Sequence, residues 1–285
     1  MPEIVSISEC WLPQEGSRLH YLRSGAGPAV VLLHGFLGGS FCWRFTLPAL
    51  ARKFEVYALD LPGLSDSEAE RGADCGMAAQ ARRVQSFLEE MGLHDVALMG
   101  CSFGGAVALH AVLQEKQRPP GRIRSLVLAA PVNPWSQFGG KRRALLRTSL
   151  GRALLRLALP YSRALHPWGL RRLYGDPARI PAGTLEGYSP QILRRGRAEH
   201  VLSAIQSWEQ DVQELRRLAG EINLPALLVW GDLDRAVDPA SCAKLEQRLP
   251  GCQVRRMPGV GHLPFEESPD EFNRAVMEFL ENSHS

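Results

Sequence analysis

The apolar run Val96 to Met99 ends in Gly100-Cys101-Ser102-Phe103-Gly104 and passes without a loop into a stretch, Ser102 to Gln117, with helical apolar spacing. Few folds accommodate such a junction. A strand that becomes a helix on a serine forces that residue into a strained backbone conformation, and the glycines two residues to either side leave room for the crowded chains. The hydroxyl is thereby pushed out at the C-terminal edge of a sheet. The N–H groups and positive dipole end of the following helix point at the same spot, which favours negative charge there.

The rest of the chain repeats this alternation of short β-rich runs and longer helical patterns, which predicts an α/β fold with a mostly parallel sheet covered on both faces. Candidate strands are Ala29 to Leu33, Glu55 to Leu59, Val96 to Met99, Ile123 to Ala129, Ala226 to Trp230 and Cys252 to Met257. Two more, near Ile4 to Trp11 and Arg18 to Arg23, are joined by Pro13 to Gly16 as an antiparallel hairpin. Helices are expected at Met77 to Met91, Pro239 to Leu249 and Pro269 to Asn282, besides the one after Ser102. From Pro131 to about Asn223 the strand rhythm stops, and Arg-, Leu- and Pro-rich helical stretches break at Gly151, Pro160, Pro167 and Pro181. This predicts a discontinuous core, residues 1–131 and 222–285, with an inserted helical cap at 132–221.

Serine is a weak nucleophile at its own pKa and needs a base. Among eight histidines, His262 is the best placed, in the loop Gly259-Val260-Gly261-His262 after the last expected strand. His34 precedes Gly35, where a structural role suits it better, although both belong with the residues that would line a substrate site. The base needs a buried acceptor to fix its tautomer. Trp230-Gly231-Asp232-Leu233-Asp234 offers two, with Asp238 a third. Asp234 is preferred, because three residues past the strand-ending glycine the loop can turn toward the histidine. An oxyanion would be held by the amide of Phe103 and by that of Phe36, in the glycine-rich loop His34 to Gly39. That loop matches neither dinucleotide- nor nucleotide-triphosphate-binding glycine patterns.

These pieces together resemble the α/β-hydrolase superfamily over nearly the whole chain outside the cap. The resemblance adds the turn Asp60-Leu61-Pro62-Gly63-Leu64-Ser65-Asp66-Ser67 and the run Gly261-His262-Leu263-Pro264-Phe265-Glu266-Glu267 to the serine elbow and His34-Gly35-Phe36. It implies a cofactor-free serine hydrolase using Ser102, Asp234 and His262, with a small-molecule carboxylic ester carrying an apolar part as substrate. Thioesterase, lactonase and C–C bond hydrolase chemistry stay open, as does a non-catalytic small-molecule receptor. The family's dehalogenases and epoxide hydrolases use an aspartate where this chain has Ser102, and its C–C hydrolases often carry a tryptophan where Leu263 stands.

The six cysteines form no CxxC pair, which argues against a metal site and for reduced thiols. A net charge of +3 is too small to indicate nucleic acid. The N-terminal residues show neither a secretory signal nor a membrane span, so a cytoplasmic location is the expectation; oligomeric state stays open. Charge is concentrated in the cap: residues 141–180 hold ten basic residues and one acid, Asp176, a local +9 that leaves −6 for the remainder. Leu145, Leu146, Leu150, Leu154, Leu155, Leu157 and Leu159 are interleaved and are expected to line an acyl pocket, with Trp135, Phe138, Trp168 and Trp208 as further wall candidates. The arginines form no continuous helical stripe, which favours a solvated basic face over a membrane-facing one.

Overall fold

The computed structural model describes residues 6–115, 121–136, 140–194 and 196–283. Its strands are β1 (Ile7–Gln14), β2 (Ser17–Ser24), β3 (Ala29–Leu33), β4 (Glu55–Leu59), the two-residue β5 (Glu68–Ala69), β6 (Val96–Cys101), β7 (Ile123–Ala129), β8 (Ala226–Gly231) and β9 (Gln253–Met257). They form one sheet in the order β1-β2-β4-β3-β6-β7-β8-β9, with β5 pairing β2. Pairing is antiparallel around β2 and parallel from β4 to β9. The hairpin differs in detail from expectation. β1 continues through Pro13 and Gln14, and the reversal is made by Glu15 and Gly16, the latter at φ +65°. Pro13 fits because β1 is an edge strand, where the missing N–H costs no ladder bond.

The central strands bury both faces, which is why they read as unbroken apolar runs. Val31, Leu33 and Leu98 pack against α2 (Met77–Glu90) and α3 (Phe103–Glu115), whereas Val30, Leu32, Ala97 and Met99 face the layer holding α1 (Leu47–Leu50).

Between β7 and β8 the described residues are helical or irregular: α4 (Gly140–Arg147), α5 (Ser149–Ala158), α6 (His166–Leu173), α7 (Thr184–Ile192) and α8 (Arg197–Leu218). α9 (Ala240–Glu246) then joins β8 to β9, and α10 (Pro264–Glu267) and α11 (Pro269–Ser283) close the chain. The interleaved leucines do not line an interior. None of the seven is buried, and Leu145, Leu150, Leu154 and Leu157 are exposed. α5 places its apolar stripe toward solvent and its small Gly151 inward, where a Cβ would meet the Leu145 carbonyl at 2.0 Å.

All six cysteines are free thiols. No helix among the described residues is long and apolar enough to cross a membrane.

Candidate active site

Ser102, Asp234 and His262 lie in the segments that follow the C-terminal ends of the parallel strands β6, β8 and β9. Ser102 follows β6 directly at φ +51°, the strained conformation expected of so sharp a turn. Its N–H donates to the Ala129 carbonyl at 3.0 Å, and its own carbonyl accepts from Gly105 and Val132, so the elbow is tied to β7 on both sides. The flanking glycines are required by packing. A Cβ on Gly104 would lie 2.4 Å from the Leu33 carbonyl oxygen, and one on Gly100 would lie 2.3 Å from that of Gly104. Leu37 at φ +59° and Ala130 at φ +44° place two further strained residues after β3 and β7, so strain gathers around Ser102.

Asp234 and His262 come together as a buried pair. His262 Nδ1 donates to Asp234 Oδ2 at 2.8 Å, while Asp234 Oδ1 accepts the amides of Ala236 and Val237 at 2.7 and 2.9 Å. The carboxylate is thus fixed by its own loop and fixes the imidazole with Nδ1 as donor. The other two aspartates serve turns: Asp232 accepts from the Gly259 amide and Asp238 from the Ala240 amide. Ser102 and His262 make no hydrogen bond to each other among the described residues.

Gly35 lies against the elbow, since a Cβ there would sit 3.3 Å from Ser102 Cβ. The amides of Phe36 and Phe103 find no acceptor among the described residues, and the two rings are 5.5 Å apart. Trp208 of α8 completes an aromatic cluster with them, at 5.9 Å from Phe36 and 5.8 Å from Phe103.

His34 does not face a substrate. It is fully buried, with Nδ1 donating to the Gly35 carbonyl at 2.7 Å and Nε2 accepting the Leu61 amide at 2.9 Å. Both nitrogens are committed to backbone, and burial pushes its pKa below the usual value, so it is a neutral strut for the glycine-rich loop. Trp135 packs against the core with Arg248 over its ring at 5.9 Å, Trp168 is exposed, and Phe138 lies outside the described residues.

A family model described as alpha/beta hydrolase fold matches residues 28–269. The chain belongs to the α/β-hydrolase fold family. A haloalkane dehalogenase 2 of Mycobacterium tuberculosis is 26% identical over 291 residues, 97% of this chain and 96% of that one. Among solved structures, Cfl2 from Burkholderia cenocepacia superposes with a TM-score of 0.82 at 22% identity, covering 98% of this chain and 97% of its own. The 2-hydroxy-6-oxo-6-phenylhexa-2,4-dienoate hydrolase of a Rhodococcus strain superposes with a TM-score of 0.80 at 22% identity, covering 98% of this chain and all of its own.

Two buried polar networks of this α/β hydrolase escaped the reading of its sequence. Asp60 accepts from His20 Nδ1 and from the Ser40 amide, both at 2.6 Å, and from Ser40 Oγ at 3.0 Å. Burial alone would raise its carboxyl, but the His20 bond and these other donors outweigh it and hold the pKa below the ordinary value. Glu266 accepts from Arg44 Nη2 at 2.9 Å, from the Tyr174 hydroxyl at 2.7 Å and from that of Tyr188. Its neighbour Glu267 accepts the amides of Gly175, Asp176 and Gly261 at 2.9, 2.9 and 2.7 Å. These carboxylates sit in the Gly261-to-Glu267 run noted above, but their partners are up to 222 residues away.

Proposed function

We propose that this α/β hydrolase cleaves a carboxylic ester with an apolar part through an acyl-enzyme on Ser102. The observation that carries the reading is the buried Asp234–His262 pair at 2.8 Å on the same sheet edge as a serine held at φ +51°. With Nδ1 donating to Asp234, a neutral His262 presents Nε2 as a lone pair, the form a general base must take. The reaction begins when Ser102 Oγ comes within hydrogen-bond reach of Nε2, since such contacts tighten around bound substrate. The oxygen attacks the carbonyl carbon as its proton passes to His262, and the amides of Phe36 and Phe103 receive the developing oxyanion. The imidazolium returns the proton to the leaving alkoxide. A water deprotonated by the same histidine then releases the acid. Phe36, Phe103 and Trp208 supply the apolar wall that favours a hydrophobic acyl or alcohol group.

A serine at this position separates the chain from those family members that open halides or epoxides with an aspartate, whatever the name of the dehalogenase relative. The test is fluorophosphonate labelling together with turnover of a series of chromogenic esters. Wild type should label at Ser102 and turn over, and Ser102→Ala should lose labelling and at least roughly a thousandfold in kcat while staying folded. An alanine variant that keeps most of its esterase activity, or a wild type that binds esters tightly without hydrolysing them, overturns the reading.

A further inference from the structure

Among the described residues, seven of the ten exposed large hydrophobics fall within residues 145–168, outside the site described above. On α5, Leu150, Leu154 and Leu157 recur at the spacing of one helical face and are 67%, 50% and 70% exposed. The turn after α5 and the helix that follows add Tyr161, Leu165 and Trp168 at 84%, 66% and 56%. Isolated exposed leucines are ordinary on a protein surface, but a run of this size marks a surface that another apolar phase covers.

Charge decides which phase. Residues 145–172 contain six arginines and no carboxylate. Arg156 is paired with Glu199 of α8, whereas Arg147, Arg163, Arg171 and Arg172 are exposed, and Arg172 stacks over the Trp168 ring at 5.0 Å. A second copy of this face would set six arginines against six, +6 against +6, which disfavours self-association through it. A lipid surface carrying anionic headgroups satisfies both halves of the pattern. The leucines enter the acyl boundary, the aromatic rings of Tyr161 and Trp168 sit at the headgroup level, and the long arginine side chains reach phosphate.

We propose that the outer face of α5 and α6 docks this protein on a bilayer surface containing anionic lipid. The contact is peripheral and independent of the ester reading. Apolar burial sets its depth, and the arginines set its preference for negative headgroups.

The experiment is co-sedimentation of the full chain with phosphatidylcholine vesicles, with and without phosphatidylglycerol, at low and high salt. Alongside it, a water-soluble ester is assayed and light scattering measures the oligomeric state. Wild type should pellet with the anionic vesicles and much less with phosphatidylcholine alone. Leu154→Glu/Leu157→Glu should weaken binding on the order of a hundredfold, through loss of two leucines that enter the lipid, without changing turnover of the soluble ester. Arg171→Glu/Arg172→Glu should weaken it in a salt-dependent way. If the leucine pair fails to fold, Trp168→Ser at its exposed site carries the same test. Absence of binding to anionic vesicles at low salt overturns the proposal, as does binding indifferent to the leucine and tryptophan changes. A wild-type dimer that the leucine variant converts to monomer also overturns it and assigns the face to a second copy.

Discussion

His110 of α3 is an imidazole the fold keeps neutral. Its Nε2 donates to the Asp211 carbonyl at 3.1 Å, and burial, only partly opposed by Glu214, lowers its pKa from 6.5 to about 4. Between those values the unfolded chain takes up a proton that the folded one does not. Its contribution to stability is therefore intact above pH 6.5 and falls as the pH drops toward 4, by about 3 kcal/mol in full. Urea midpoints measured near neutrality and near pH 5 should fall steeply with acid in wild type and less in His110→Gln. An equal fall in both would remove His110 from the acid response. At Asp234 the effect is on rate. Asp234→Asn cannot impose the Nδ1–H tautomer on His262 as the carboxylate does, and kcat on the ester should drop by about four orders of magnitude. Asp232→Asn, at an exposed turn residue bonded to the Gly259 amide, should leave kcat within a few-fold, and a larger loss there would reverse the assignment.

At the scale of elements, the β6–α3 junction depends on backbone proximity. Gly104→Ala pushes a methyl toward the carbonyl oxygens of Leu33 and His34, at 2.4 and 2.5 Å, with no flexible side chain to yield. α3 must back away from β3, at a cost of about 2 to 3 kcal/mol or more, read as a lowered denaturant midpoint and a larger loss of kcat than of folding. This junction was legible in the sequence because its rule is local: apolar run, glycine, serine, glycine, helix. The same holds for β3, β4 and β7, whose ends coincide with the apolar runs that define them. Local rules fail where the partner is distant. His34 stands in a loop that suggests substrate, yet its Nε2 is taken by the Leu61 amide, 27 residues on. α1 is only four residues long, too short for any period to show. In α5 the interleaved leucines were visible, although the helix runs on through Gly151 where a break was expected, but interleaving says only that one face is apolar. Whether that face meets a core or open solvent depends on which side packs on α8, and nothing in α5 itself encodes that.

Across the whole molecule, the inserted helices are bolted to the sheet edge by buried charge. Glu266 gathers Arg44 from the loop between β3 and α1, Tyr174 from the end of α6 and Tyr188 from α7, while Arg44 also donates to Thr184 at 2.8 Å. Glu267 and the Leu173 carbonyl hold the Gly261–His262 backbone, at 2.7 and 2.6 Å. The insertion and the loop bearing His262 are therefore one mechanical unit. Removing Arg44 leaves Glu266, whose side chain is wholly buried, without its cation. Such uncompensated burial costs about 3 to 5 kcal/mol, more than the favourable net worth of the pair, because desolvation of the carboxylate is no longer offset. Arg44→Met should accordingly lower the denaturant midpoint sharply and reduce kcat as the loop bearing His262 loosens. Adding Glu266→Gln to that variant removes the stranded charge but keeps an acceptor for the tyrosine hydroxyls, so it should recover most of the lost stability. A double variant no more stable than Arg44→Met would mean that Arg44 acts by packing between Phe41 and Phe45, whose rings lie 4.3 and 4.5 Å from its guanidinium carbon, and not by compensating Glu266.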